Sequence, residues 1–549
     1  MDLIYAVRGS SGLSLKRGIT PDSQTDITKV QLNPKDAICR SMKFSNNGQY
    51  FCYCDSRRTV VIETTTGKEL FSAELAKTSH ILFSPRDRVM VTYEPYVIYG
   101  TRINPDGTTK VPDPNLRFWS IPDGKLLATI KSDRQSMWKP LFTEDESIML
   151  RLSGSEILFY ENMQFERFTK CVVIKNMDSF EISPGPSPNV ICFLPPLKGN
   201  PAIIQLRKVS HDTDLPLIGT KISFNCDKCT MQWNSRGTAA IAITTVDVDK
   251  SDKSYYGVSH IVCFNTKGDS SQIQLSKNGP LHDCKWSPTG KEFAVCYGFM
   301  PSKVTIFNLK GDEIWDLGEG HRNELYYNPF GTILTVCSFG NISSGKVQFF
   351  NVSTRELIVQ TEIPHTTAFE WAPDGQHFST ATTAPRLRLD NGYRIWHYTA
   401  KRLLEVSFEK EELWQVCWKP SKVYSKTEIT KLTEAEKTTA ANSVIKSSIS
   451  KHPVDSLSSS GAIAKSGKYI PPAQRKPEHN KANQQTSTKT PISENEKKLK
   501  NLQKKLNDIQ DLKKKKSDGT KLEQNQLQKI ESEELLRQQL DALQLEMSN

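Results

Sequence analysis

Three features of this 549-residue chain have residue types and spacings that could do chemistry: one paired-cysteine motif, one glycine-and-lysine stretch, and several runs of lysine. Cys226-Asp227-Lys228-Cys229 has the spacing of half a zinc site. A structural zinc needs four ligands, and the next cysteine, Cys263, stands alone. The pair therefore reads as thiols in a strand or turn of a reduced chain. The ten histidines include no His-x-x-x-His pair, and His282 and His321 read as structural residues of turns. Residues 461–468, Gly-Ala-Ile-Ala-Lys-Ser-Gly-Lys, look superficially like a phosphate-binding loop. Their glycines stand one residue too far apart, and Tyr469 occupies the place of the Ser or Thr that would hold magnesium. A Gly-x-Ser-x-Gly nucleophile elbow is missing as well. The expectation is a protein that is not an enzyme and uses no cofactor or metal.

The lysines point to binding. Lys513, Lys514, Lys515 and Lys516 are consecutive, and Lys497, Lys498, Lys504 and Lys505 precede them. Residues 421–530 hold 23 basic against 11 acidic residues. Ammonium groups in such runs neutralise phosphates without reading bases, which gives salt-sensitive affinity for RNA. A solvated helix face is the plainer reading of the same residues.

The elements that carry these residues divide sharply at about residue 420. All 12 Cys and all 9 Trp lie between Cys39 and Trp418, and Tyr424 and Tyr469 are the only aromatics beyond. The first 420 residues hold 48 basic and 45 acidic side chains, and the remainder holds 24 and 16. A near-neutral body thus carries a basic arm. No apolar run reaches the roughly 18 to 20 residues of a membrane span. The start Met1-Asp2-Leu3-Ile4-Tyr5-Ala6-Val7-Arg8 does not read as a secretory signal, so a cytoplasmic location is expected.

Within the body, an aromatic or apolar residue followed by a turn recurs at Phe44, Phe83, Phe142, Ile182, Trp233, Trp286, Tyr327, Trp371 and Trp418. Trp286-Ser287-Pro288-Thr289-Gly290 and Trp371-Ala372-Pro373-Asp374-Gly375 are the clearest copies. Spacings of 39 to 59 residues bracket the 40–45 residues of a propeller blade, with insertions in the longer repeats. Short β-rich runs such as Tyr50–Cys54, Phe293–Tyr297 and Ile333–Cys337 follow the turns. Nine motifs imply nine blades; an eight-bladed ring or two smaller rings are the alternatives, since four to eight blades are usual. Trp418 has no strand after it, whereas residues 4–8 and 13–17 read as strands ahead of the first motif. These N-terminal strands are expected to complete the ninth blade, because an open ring would leave unpaired edges. The predicted fold class is all-β: a single nine-bladed WD-type β-propeller over residues 1–420, closed by N-terminal strands. A disordered basic linker over 421–491 and C-terminal α-helices over 492–549 follow it.

The linker is rich in Ser, Thr and Lys, with too little apolar surface to offset ordering entropy. One island, Lys468-Tyr469-Ile470-Pro471-Pro472-Ala473-Gln474-Arg475, favours polyproline II. Tyr469, Pro471, Pro472 and Arg475 would be its docking handles, and a stiff piece of linker is the bland reading. Further on, Leu499, Leu502, Leu506, Ile509 and Leu512 fall on one helical stripe, with Ser493 and Glu496 as a capping box. Ser517-Asp518-Gly519 breaks this helix, and Leu527, Ile530, Leu536, Leu540 and Leu543 mark a second. A helical hairpin or a pair of partner-binding helices is expected, basic in its first half and acidic at its end.

Residues 297–308, Tyr-Gly-Phe-Met-Pro-Ser-Lys-Val-Thr-Ile-Phe-Asn, resemble a signature of the eukaryotic translation initiation factor 2A family. Residues 384–388, 391–398 and 412–418, in that order ahead of a basic tail, are similar to it too. The resemblance implies a noncatalytic, single-chain initiation factor. It implies binding of initiator methionyl-tRNA and the small (40S) ribosomal subunit independently of GTP, in support of alternative initiation at non-AUG codons and internal entry sites. It also implies mRNA and initiation factor 5B as partners of the tail. The family carries over no agreed tRNA-contacting side chains. Arg386, Arg388 and Arg394, lying in or beside the matching strings, are the propeller's RNA-binding candidates, because Arg pairs well with phosphate. The alternative is a scaffold that contacts only proteins, as suggested by the propeller of initiation factor 3 subunit b.

Overall fold

In the computed structural model, every one of the nine motif residues ends the first strand of a four-stranded antiparallel sheet. The structure describes residues 2–32, 38–98, 108–197, 199–210, 214–224, 226–246, 259–340 and 344–439, together with 509, 510, 513 and 533. Blades 1 to 8 are continuous in sequence: 41–73, 80–130, 141–173, 179–223, 228–273, 281–320, 324–362 and 368–407. First strands of successive blades lie beside one another, so they line the middle of the ring and the fourth strands form its rim. Second strands such as Val89–Tyr93 and Ile333–Cys337 are buried along their whole length, being covered by a blade on each side. That two-sided burial explains their mostly apolar character, broken in each by one buried threonine. Rim strands such as Glu69–Ala73 are partly exposed and mix polar with apolar residues.

The motif residues lock blade to blade. Trp233 Nε1 donates to the Glu181 carbonyl at 3.2 Å, Trp286 Nε1 to that of Gln232 at 3.2 Å, and Trp418 Nε1 to that of Glu370 at 3.3 Å. Each acceptor immediately precedes the motif residue of the previous blade. The turns after the motifs add a second layer: Asn234 donates to the Gly290 carbonyl at 2.8 Å and Asn328 to that of Gly375 at 3.0 Å. Gly237 shows why glycine is needed in these turns. Its φ is +64°, and a Cβ there would stand 2.0 Å from the Pro184 carbonyl oxygen of the preceding blade.

The ninth blade closes the ring as expected. Leu413–Trp418 is its inner strand, and Ile4–Gly9, Gly12–Arg17 and Thr25–Gln31 are its second, third and fourth. Pairing runs antiparallel, with Tyr5 opposite Trp418, Ala6 opposite Cys417 and Val7 opposite Val416. Tyr5 is wholly buried; its ring lies 5.2 Å from that of Trp418 and 5.8 Å from that of Tyr393. Its hydroxyl meets the Tyr393 hydroxyl and the Gln24 amide. The third N-terminal strand, Thr25–Gln31, was not foreseen: it is a rim strand, half-exposed and polar.

The chain continues against the propeller beyond Pro420. Tyr424 packs on the closing blade, and Ile429 and Leu432 pack on the apolar seam of blades 7 and 8. The Thr430 amide donates to the Tyr398 hydroxyl at 2.7 Å. A helix over 434–439 follows, capped reciprocally by Thr433 and Glu436. The stretch expected to start the linker at Ser421 therefore docks on the propeller as far as Leu432, held by three apolar anchors in a polar run. Two compact units result, residues 1–454 and 455–549. No helix among the described residues is long and apolar enough to cross a membrane.

Candidate nucleic-acid interface

Strand direction sorts the loops to two ends of the ring. Antiparallel order puts the motif turns at one end. The connections between second and third strands, and the entries to the inner strands, lie at the other end, here called the entry end. Arg386 and Arg388 lie in the loop between His377–Thr382 and Gly392–His397, hence at the entry end. Arg386 donates from Nη1 to the Thr367 carbonyl at 3.1 Å, and its Nη2 stands 3.8 Å from Glu324. Arg388 lies 3.4 Å from Glu412. Their side chains remain 53% and 70% exposed, so both could turn toward a phosphate. Arg394 is placed differently. It sits within a strand directly opposite Glu405, 3.0 Å away, and Arg402 holds the same carboxylate at 2.9 Å. The structure thus sets two of the three arginines on one entry-end loop, each beside a different glutamate, and the third into a cross-strand ion pair.

The entry end also carries a group of residues that sequence reasoning missed. Arg8, Arg40, Lys77 and Trp414 line one cleft of about 500 Å³ where blades 9, 1 and 2 meet. The Arg8 guanidinium carbon lies 5.6 Å from the Trp414 ring centre, and its Nη1 donates to the carbonyls of Cys39 at 2.8 Å and Arg40 at 2.9 Å. Burial lowers the Arg8 pKa, and its buried Nε has no hydrogen-bond partner. Arg40 Nε donates to the Ala76 carbonyl at 3.1 Å. The Trp414 indole is partly exposed and donates to Glu412 at 3.0 Å. Sequence offered no signal for this cluster, because residues 8 and 414 become neighbours only when the ring closes.

Cys226 is buried with its thiol toward the Lys228 carbonyl, and burial raises the pKa of both Cys226 and Cys229. Among the described residues no three His, Cys, Asp or Glu converge as ligands. His282 Nε2 meets the Gly298 carbonyl at 2.8 Å and so ties an entry-end loop to its blade.

In the tail unit, Ile509, Lys513 and Glu533 are helical; Ile509 is buried, and Lys513 Nζ lies 2.5 Å from the Glu533 carboxylate. Lys513 is therefore engaged by a carboxylate. Lys497, Lys498, Lys504, Lys505, Lys514, Lys515 and Lys516 lie outside the described residues, as do Leu499, Leu502, Leu506, Tyr469, Pro471, Pro472 and Arg475.

The fold defines a nine-bladed β-propeller protein with its loops sorted to two ends of the ring. Residues 221–416 match the family described as eukaryotic translation initiation factor eIF2A, and 497–543 match the eukaryotic translation initiation factor 2A C-terminal domain. The chain is 41% identical over 563 residues to eukaryotic translation initiation factor 2A of Caenorhabditis elegans, covering 97% of each chain. To the Schizosaccharomyces pombe factor of that name it is 30% identical, covering 98% of each. A solved structure described as a eukaryotic initiation factor superposes with a TM-score of 0.67 at 29% identity, over 77% of this chain and 100% of that one. The chain belongs to the eukaryotic translation initiation factor 2A family, and its relatives are translation initiation factors.

Proposed function

We propose that this protein is a noncatalytic, cytoplasmic initiation factor that binds initiator methionyl-tRNA and the small ribosomal subunit without GTP of its own. In this reading it supports initiation at non-AUG codons and internal entry sites. The propeller is a rigid platform, and the basic tail captures mRNA and recruits initiation factor 5B. The observation that carries this reading is similarity along almost the entire chain, propeller and tail together, to factors named for translation initiation. A tethered basic arm raises the local concentration of a second site without altering the first. Filter binding of initiator tRNA across a salt series, to the full chain and to residues 1–454, tests it. The full chain should bind with affinity that falls log-linearly with salt, and the shorter chain should bind more weakly with a shallower slope. Undetectable or salt-insensitive binding by both would favour a scaffold that contacts only proteins.

A further inference from the structure

We propose that two copies of this chain pair edge to edge through the rim strand of blade 4, Leu217–Ser223, antiparallel about a twofold axis at Ile222. A rim strand lies at the greatest radius of the propeller and bonds to its own blade on one side only, so its outer edge offers amides and carbonyls to another strand. Among the described residues, no backbone hydrogen bond joins residues 217–223 to another blade. Five of the nine rim strands are six or more residues long. Four of these are fenced by two or three charged side chains each, as in Thr25–Gln31 with Asp26 and Lys29, or Glu313–Gly320 with Glu313, Asp316 and Glu319. Such charges keep edges from pairing. Leu217–Ser223 carries only Lys221. It exposes apolar surface instead: Leu217 is 52% exposed, Ile222 is 50% exposed, and Phe224 just beyond it is 71% exposed.

One register suits the side chains. Directly opposed residues of an antiparallel pair share a face of the sheet. Thr220 and Ile222 stand opposite Gln205 and Ile203 of their own blade, on the face toward blade 3. Lys221 stands opposite Ile204, on the face toward blade 5. A twofold axis at Lys221 would set two ammonium groups against each other, which is unfavourable. An axis at Thr220 would bring Ile222 to Ile218, but the irregularity beside Arg207 turns Ile218 onto the core between blades 4 and 5. An axis at Ile222 sets Ile222 against its own copy, Phe224 against Thr220, and Lys221 against Ser223. Apolar surface then meets apolar surface, no like charges oppose, and one patch serves both copies, as an isologous contact requires. A contact of one strand from each copy is small, so the dimer is a weak and reversible one.

The test uses the full chain. Opposed Cα atoms of an antiparallel pair lie about 4.5–5.5 Å apart, within reach of a disulfide. Ile222→Cys under mild oxidation should therefore give a disulfide-linked dimer, mapped by peptide analysis to residue 222 of both copies. Thr220→Cys stands off the axis and should not link to its copy. The parent should not link either, since its exposed Cys171 lies on blade 3. Sedimentation velocity of the parent at rising concentration should show reversible dimerisation, and Ile222→Glu should weaken it about tenfold or more. Ile222 is half-exposed, so Ile222→Glu should leave the melting temperature unchanged, which separates lost pairing from lost folding. Absence of a link at residue 222 would overturn the proposal and leave this edge to a different protein. A dimer that survives Ile222→Glu, or a link that forms at residue 220 instead, would overturn it too.

Discussion

Replacing Tyr5 by Ala asks how much the closing blade contributes. Tyr5 has no exposed surface, and its ring touches those of Tyr393 and Trp418, which lie 388 and 413 residues further along the chain. Truncating a fully buried aromatic ring in a close-packed site costs about 3–5 kcal/mol. The Tyr393 hydroxyl and the Gln24 amide would also lose the Tyr5 hydroxyl they share, each adding about 1 kcal/mol. The expected loss is therefore roughly 5–7 kcal/mol, read as a shift of the urea unfolding midpoint followed by intrinsic fluorescence. Tyr5→Phe keeps the ring and should lose only about 1–2 kcal/mol. A double-mutant cycle with Tyr393→Ala should return a coupling of about 0.5–1.5 kcal/mol, which only direct contact between the two rings produces. A loss under about 1 kcal/mol for Tyr5→Ala, with no coupling, would refute the reasoning, because the N-terminal strand would then lie outside the core.

Three further outcomes are expected. Gly237→Ala places a Cβ at φ +64° and 2.0 Å from the Pro184 oxygen; it should destabilise by roughly 2–4 kcal/mol, measured by denaturant unfolding. Burial lifts the Glu370 carboxyl from 4.5 to about 7, so its contribution to stability is complete below about 4.5 and is lost as pH rises through about 7. Glu370→Gln removes that dependence, so the variant's melting temperature relative to the parent should climb between pH 4.5 and 7; a flat difference would contradict the assignment. Replacing Lys513–Lys516 together by Gln should weaken RNA binding and flatten its salt slope by about one unit for each phosphate no longer neutralised, with Lys513 contributing least because Glu533 holds it.

The ring was legible because propeller blades repeat their wedge residue: Phe44, Trp286, Trp371 and the other motif aromatics mark the end of an inner strand each time. Closure was legible too, since Trp418 has no strand-like run after it and residues 4–8 and 13–17 read as strands ahead of the first motif. Rim strand Thr25–Gln31 escaped notice because one of its faces meets water and its pattern is polar. Residues 421–439 read as linker because Tyr424, Ile429 and Leu432 are isolated in a polar run; their anchoring depends on seams that the blades create. Arginines were visible as residues, but their partners were not. Glu405 faces Arg394 by strand register, a relation that a single sequence does not display. The Arg8–Trp414 cleft is the extreme case, joining the two ends of the propeller.

Native-state hydrogen exchange of the amides in Ile4–Gly9 tests the closed ring most directly. Paired with Leu413–Trp418 and buried between blades 8 and 1, they should exchange as slowly as those of Phe369–Trp371 in the inner strand of blade 8. Exchange of residues 5–9 at the rate of an unstructured chain, while blade 8 stays protected, would contradict a ring stitched shut by its own N-terminus.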